Sequence, residues 1–149
     1  MGPDARGNMV RYHFADPTAP VALPRIAPPY KCVVLIERQV SAEARWQVSK
    51  DLVATGCQYM LAWGLDCSLW DDSVDMASLE QFGYDDVLPE HFVMTTWHSD
   101  ETLREVLHFA RWHATQSYDD VALDRCLILD FCAAPREPEI RALYAADQP

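Results

Sequence analysis

From Lys31 to Glu37 the chain reads KCVVLIE, a continuous apolar run rich in β-branched residues. A strand covered on both faces has this pattern. Ser41 then suits a helix N-cap, Glu43 falls in the first turn, and Trp46, Val48, Leu52 and Val53 recur at helical spacing until Gly56 stops the helix. A second apolar strand, CQYMLAW, spans Cys57–Trp63 and is closed by Gly64. Leu65–Trp70 reads as a loop. Asp71–Phe82 reads as a weaker helix carried by Val74, Met76, Leu79 and Phe82. A connection from Gly83 to Glu90 leads to a third strand, HFVMTTW, at His91–Trp97. Ser99 is expected to cap the next helix, with Asp100 and Glu101 in its first turn. Leu103, Val106, Leu107, Ala110 and Ala114 give that helix one apolar stripe. Arg125–Phe131 (RCLILDF) is the fourth strand, and a short helix is expected around Glu139–Ala145.

Strands alternating with helices specify an α/β fold with a mostly parallel sheet. Right-handed crossovers then give a three-layer sandwich, here with four strands in a flavodoxin-like or Rossmann-like order. The first 29 residues hold six prolines (Pro3, Pro17, Pro20, Pro24, Pro28 and Pro29) and little apolar periodicity. Proline removes a backbone donor and restricts its neighbour, so residues 1–29 are expected to form a flexible arm before a single domain at 30–149. At 149 residues, half of them hydrophobic, the chain suffices to bury one core.

Charge changes the picture. The net charge is −11, and no Lys or Arg lies between Lys50 and Arg104, a stretch with eleven acids. The remaining twelve acids balance the twelve bases, so the whole excess sits in the centre of the chain. This argues against a nucleic-acid footprint and against docking on anionic lipid. No apolar run is long enough to span a membrane, and Met1–Ala15 lacks the apolar centre of a signal peptide. A cytoplasmic location with reduced thiols is therefore expected for the five cysteines, which form no CxxC pair.

In an open parallel sheet, ligands bind beyond the carboxyl ends of the strands. The residues collected there are Glu37 and Arg38, then Asp66, Cys67, Trp70, Asp71, Asp72, Ser73 and Asp75, then His98, Ser99 and Asp100, and finally Asp130 and Cys132. Three chemistries use subsets of them. Cys67 as a thiolate, His98 as its base and Asp66 orienting the ring would make a nucleophilic site. Asp66, Asp71, Asp72 and Asp75 offer oxygens to a hard cation, although their spacing is not that of an EF-hand and helix-start acids explain three of them. Zinc has no CxxC or paired-His support, so no metal is expected. With five glycines and no GxGxxG or P-loop run, no nucleotide cofactor is expected either. Trp70 and Trp97 lie beside the acids and suit a binding surface, since tryptophan is enriched at interfaces.

The segments AWGLDCSLWDDSVD (Ala62–Asp75) and HFVMTTWHSDETLREV (His91–Val106) resemble those of an uncharacterised bacterial domain family. The resemblance covers roughly residues 30–132. It implies no activity, but singles out Asp66, Cys67, Trp70, Asp71, Asp72, Asp75, Trp97 and His98, the residues the strand-end rule selects.

The expected function is that of a small acidic cytoplasmic protein that docks a basic protein partner. Trp70, Asp71, Asp72, Asp75 and Trp97 would form the contact, as in an inhibitor or immunity protein. The alternative is a small hydrolase or transferase using Cys67, His98 and Asp66.

Overall fold

A computed structural model describes residues 9–83, 92–114 and 123–146. The strands are β1 (Met9–Phe14), β2 (Tyr30–Ile36), β3 (Cys57–Gly64), β4 (Met94–His98) and β5 (Arg125–Phe131). The helices are α1 (Ala42–Ala54), α2 (Cys67–Phe82), α3 (Leu103–Trp112) and α4 (Glu137–Ala145). All strand pairings are parallel, in the order β1-β5-β2-β3-β4. The α/β class holds, with five strands in place of the expected four.

The fifth strand comes from the proline-rich arm. Met9–Phe14 pairs along β5 from Met9↔Arg125 to Phe14↔Asp130. Val21, Leu23 and Ile26 then pack against the core, so the described part of the arm belongs to the domain. Counting β2 as the first of the four expected strands, the order is 3-2-1-4. This is the Rossmann-type arrangement, so the flavodoxin-like order gives way.

Side-chain alternation in β2 sets the layers. Cys32, Val34 and Ile36 face one cluster with Val48 and Leu52 of α1 and Trp70 and Val74 of α2. Val33 and Leu35 face a second, with Val106, Leu107 and Ala110 of α3 and Ile140 and Tyr144 of α4. Helices on both faces bury the central strands, which is why β2, β3 and β5 read as unbroken apolar runs.

Helix starts differ from expectation in two places. The expected loop at Leu65–Trp70 is mostly the first turn of α2, entered through Asp66 with φ 52°. At Gly64, φ is 108°, and a Cβ there would collide with the Ile36 carbonyl, which accepts from the Leu65 N–H at 2.8 Å. The chain therefore passes tightly over the end of β2 and winds directly into helix. α3 is capped by Thr102, not Ser99: Thr102 Oγ1 accepts from the Glu105 N–H and the Glu105 carboxylate accepts from the Thr102 N–H, each at 3.1 Å. The expected Ser41 cap is present, accepting from the Ala44 N–H at 3.1 Å. The third strand runs over Met94–His98, while His91 and the connection at 84–90 lie outside the described residues. No helix of the described residues is long and apolar enough to cross a membrane.

Candidate functional site

β2 and β5 are neighbours whose following helices cover opposite faces of the sheet. The crevice between their carboxyl ends is the topological switch point, where ligands bind in open α/β sheets. Here Arg136 spans it. Its Nε and Nη2 donate to the two carboxylate oxygens of Asp130, each at 2.9 Å, and the same guanidinium pairs with Glu37 beyond β2. Tyr12 of β1 donates its hydroxyl to Asp130 at 2.7 Å and accepts the Arg136 N–H at 3.1 Å. Asp130 is fully buried, so these contacts replace its water.

The electrostatics follow from that burial. Desolvation pushes the Tyr12 hydroxyl above its usual range; the Arg136 N–H opposes this, while the hydrogen bond and charge of Asp130 reinforce it. The hydrogen bonds to Asp130, with its charge and that of Glu37, hold Arg136 protonated against desolvation. Cys132, buried next to this cluster, donates to the Ala134 carbonyl at 3.0 Å. Burial first, then Asp130, pushes its thiol up, away from the thiolate that nucleophilic chemistry needs. The strand-end rule gathered Glu37, Asp130 and Cys132. It missed Tyr12, assigned to the arm, and Arg136, in the tail.

The structure does not link Cys67, His98 and Asp66 by hydrogen bonds. His98 engages Thr96 Oγ1 through Nε2 and Glu101 Oε1 through Nδ1, both at 2.9 Å. Its ring lies 5.0 Å from Phe109 of α3. Cys67 packs into the cluster on the other face, beneath α1 and α2. Asp66 accepts from Gln39 Nε2 at 2.7 Å. Among the described residues, no group of three or more His, Cys, Asp or Glu is placed to hold a metal ion.

Trp70 corrects another expectation. It is 1% exposed and its ring lies 5.8 Å from Phe131, so it is core and offers nothing to a partner. The reason is its place on α2, where Cys67, Trp70, Val74 and Ala77 form the buried stripe. The other expected contact residues do reach the surface. Trp97 of β4 is 51% exposed, Asp72 and Asp75 are exposed on α2, and Asp71 is half-buried. The register opposes Thr95 to Met60 and Trp97 to Ala62, which sets both on the α2 side of the sheet.

Between α2 and β4 lies a groove of about 400 Å³, lined by Asp75, Ser78, Leu79, Phe92, Met94 and Thr95 among others. Thr95 Oγ1 donates to Asp75 Oδ1 at 2.9 Å. Desolvation raises the Asp75 carboxyl above its usual range; the Thr95 bond partly offsets this, and the nearby Asp71 and Asp72 charges add to it. Six of the seven large hydrophobics exposed among the described residues, Leu65, Leu69, Met76, Phe92, Met94 and Trp97, lie between positions 65 and 97, inside the stretch without Lys or Arg. Sequence reasoning found the acids but not Phe92, Met94 and Met76, which read as core of a strand and a helix. Met76 lies off the buried stripe of α2, and β4 is an edge of the sheet among the described residues, which leaves Met94 less covered than the side chains of the central strands.

No curated protein and no solved structure matches this chain. Residues 10–147 match the family described as a domain of unknown function, DUF7684, and the chain belongs to that family.

Proposed function

We propose that this protein is a cytoplasmic binding protein, of the inhibitor or immunity type, that docks a basic segment of a protein partner on the α2–β4 edge. One observation carries it: the exposed apolar side chains and the uncompensated acids occupy the same stretch. Leu69, Met76, Phe92, Met94 and Trp97 are exposed in the stretch that holds Asp71, Asp72 and Asp75 and no Lys or Arg between positions 50 and 104, and Phe92 and Met94 line one groove with Asp75. An exposed apolar patch rimmed by one sign of charge suits a partner of the opposite sign. The groove at Asp75 fits a lysine or arginine side chain, with the aliphatic stem against Leu79 and Phe92 and the charge on the carboxylate. A cation there would relieve the unfavourable charge that burial and Asp71 and Asp72 impose on Asp75. β4, an edge of the sheet among the described residues with Met94 and Trp97 exposed on it, also suits main-chain pairing with an extended segment.

The test is selection from a random peptide library displayed against the purified protein. Selected peptides should carry Lys or Arg next to apolar residues, and high salt should weaken them. In Asp75→Asn, which keeps an oxygen for Thr95, the selected peptides should bind less tightly. The Asp71→Asn/Asp72→Asn/Asp75→Asn variant should associate ~10-fold more slowly or worse, with a flatter salt dependence. Selection indifferent to charge, or unchanged association in the triple variant, would exclude this function.

A further inference from the structure

A second charged region lies at the opposite edge of the sheet. With 23 acids against 12 bases, each Lys and Arg has carboxylates in excess to pair with. Arg38, Arg136 and Arg141 are so paired, with Asp16, with Glu37 and Asp130, and with Glu137. Arg45, Lys50 and Arg104 have no carboxylate within ion-pair distance among the described residues, and neither do Arg11, Arg25 and Arg125, which differ in being gathered at one place. All three line one cleft of about 560 Å³ at the amino end of β1.

Two of these guanidiniums are held by the backbone. Arg11 Nη1 donates to the Arg25 carbonyl at 2.8 Å, and Arg125 donates from Nε to the Ala27 carbonyl at 2.7 Å and from Nη2 to the Pro28 carbonyl at 2.9 Å. A guanidinium carries five N–H donors, so both keep donors to spare in a fixed orientation. Glu137, the acid of the lining, is taken by Arg141 at 2.9 Å, and Arg141 also donates to the Val10 carbonyl at 3.1 Å. That pair is neutral, which leaves the three arginines as uncompensated positive charge. Met9, Val10, Ile26 and Ala27 form the apolar part of the wall. The volume falls within the span of small-molecule sites, roughly 300–1,000 Å³.

We propose that this cleft binds a small organic phosphate carrying two or more negative charges, the phosphoryl oxygens on the forks of Arg11, Arg25 and Arg125 and the organic part against Met9 and Ile26. Planar guanidinium forks match phosphoryl oxygens in pairs, and convergent forks favour a multiply charged group over a single carboxylate. The site lies away from the carboxyl edge and is independent of the acidic α2–β4 groove.

The experiment is titration calorimetry of the full chain with inorganic pyrophosphate, ADP and citrate, at constant ionic strength set by sodium chloride. Pyrophosphate and ADP should bind saturably, ADP the more tightly because of its base and sugar, and citrate more weakly than either. Arg25→Gln is the informative variant, since the exposed Arg25 side chain holds no part of the fold by hydrogen bonding. It should raise both dissociation constants about tenfold or more, the worth of one charge-assisted contact. Arg11→Lys, which keeps the charge but loses the fork, should weaken binding as well. No saturable binding of pyrophosphate, equal binding by Arg25→Gln, or tighter binding of citrate than of pyrophosphate would each overturn the proposal.

Discussion

Arg136→Ala tests what holds the crevice between β2 and β5 shut. The substitution removes two of the three donors to Asp130, those at 2.9 Å from Nε and Nη2, and leaves the Tyr12 hydroxyl at 2.7 Å. The carboxylate has no exposure of its own. Removing one partner of a buried ion pair costs about 3–5 kcal/mol, because the other charge stays behind unpaired. The Arg136 side chain is 19% exposed, so truncation opens a path for water and sets the expected loss at the lower end, ~3 kcal/mol. For a chain of this size that corresponds to a melting temperature lower by ~10 °C. Urea unfolding at neutral pH, followed by tryptophan fluorescence, measures it directly, since Trp70 lies against Phe131 at the end of β5. The denaturant slope should not change. In an Asp130→Asn background, where no charge is stranded, Arg136→Ala should cost only ~1 kcal/mol, giving a coupling of ~2 kcal/mol. Glu37→Gln, which touches the exposed side of the same guanidinium, should cost under ~1 kcal/mol. An Arg136→Ala loss below ~1 kcal/mol, or an equal loss in both backgrounds, would refute the reasoning.

Trp70→Ala should destabilise the protein by ~3–5 kcal/mol, because it empties a fully buried site between α2 and β5; a denaturation curve near wild type would return Trp70 to the surface. Thr102→Ala breaks the capping box of α3 and should cost ~1 kcal/mol in the same assay. Burial raises the Cys57 thiol from the ordinary 9.0 to about 12 and also raises Cys32, Tyr12 and Tyr30. Raised values favour the protonated forms in the folded state, so this stability is complete below the unfolded values and is lost as pH climbs through the folded ones. Thermal melts should be level from neutral pH to just below 9 and fall progressively above it; level melts through the alkaline range would contradict this.

Continuous apolar runs made β2, β3 and β5 legible, because a strand buried on both faces carries its signal in every residue. β1 was not legible for the opposite reason. At the sheet edge, only Val10 of MVRYHF is buried, and the prolines that follow speak for irregular chain. The first turn of α2 was present in the sequence as the stripe Cys67, Trp70, Val74 and Ala77. No side-chain cap announces it, and Asp66 enters through a left-handed conformation that propensity disfavours. Thr102 was legible in principle, as Thr-Leu-Arg-Glu is a capping box, but Ser99 with two following acids reads as a rival start. Of the carboxyl-edge cluster, Glu37, Asp130 and Cys132 follow from strand ends alone. Tyr12 and Arg136 needed the position of β1, and so a pairing between the two ends of the chain. The α2–β4 edge was half legible: charge shows in sequence, whereas outward-facing Phe92 and Met94 cannot be told from core residues until β4 is known to be an edge.

The pairing of β1 with β5 also sets a sequence of events. The pairings of β2 with β3 and of β3 with β4 join strands that follow one another along the chain, whereas β5 returns to pair with both β2 and β1. Met9–Phe14 has its partner in Arg125–Phe131, so it can take its place only once β5 has been made. Pairings between strands far apart in sequence carry a loop-closure cost that neighbouring strands avoid. Until β1 pairs with β5, Tyr12 is missing from the carboxylate of Asp130, and the Val10 carbonyl is not there for Arg141. The arginine cleft, built from β1, from residues 25–27 and from the start of β5, therefore cannot form before β5 has been made.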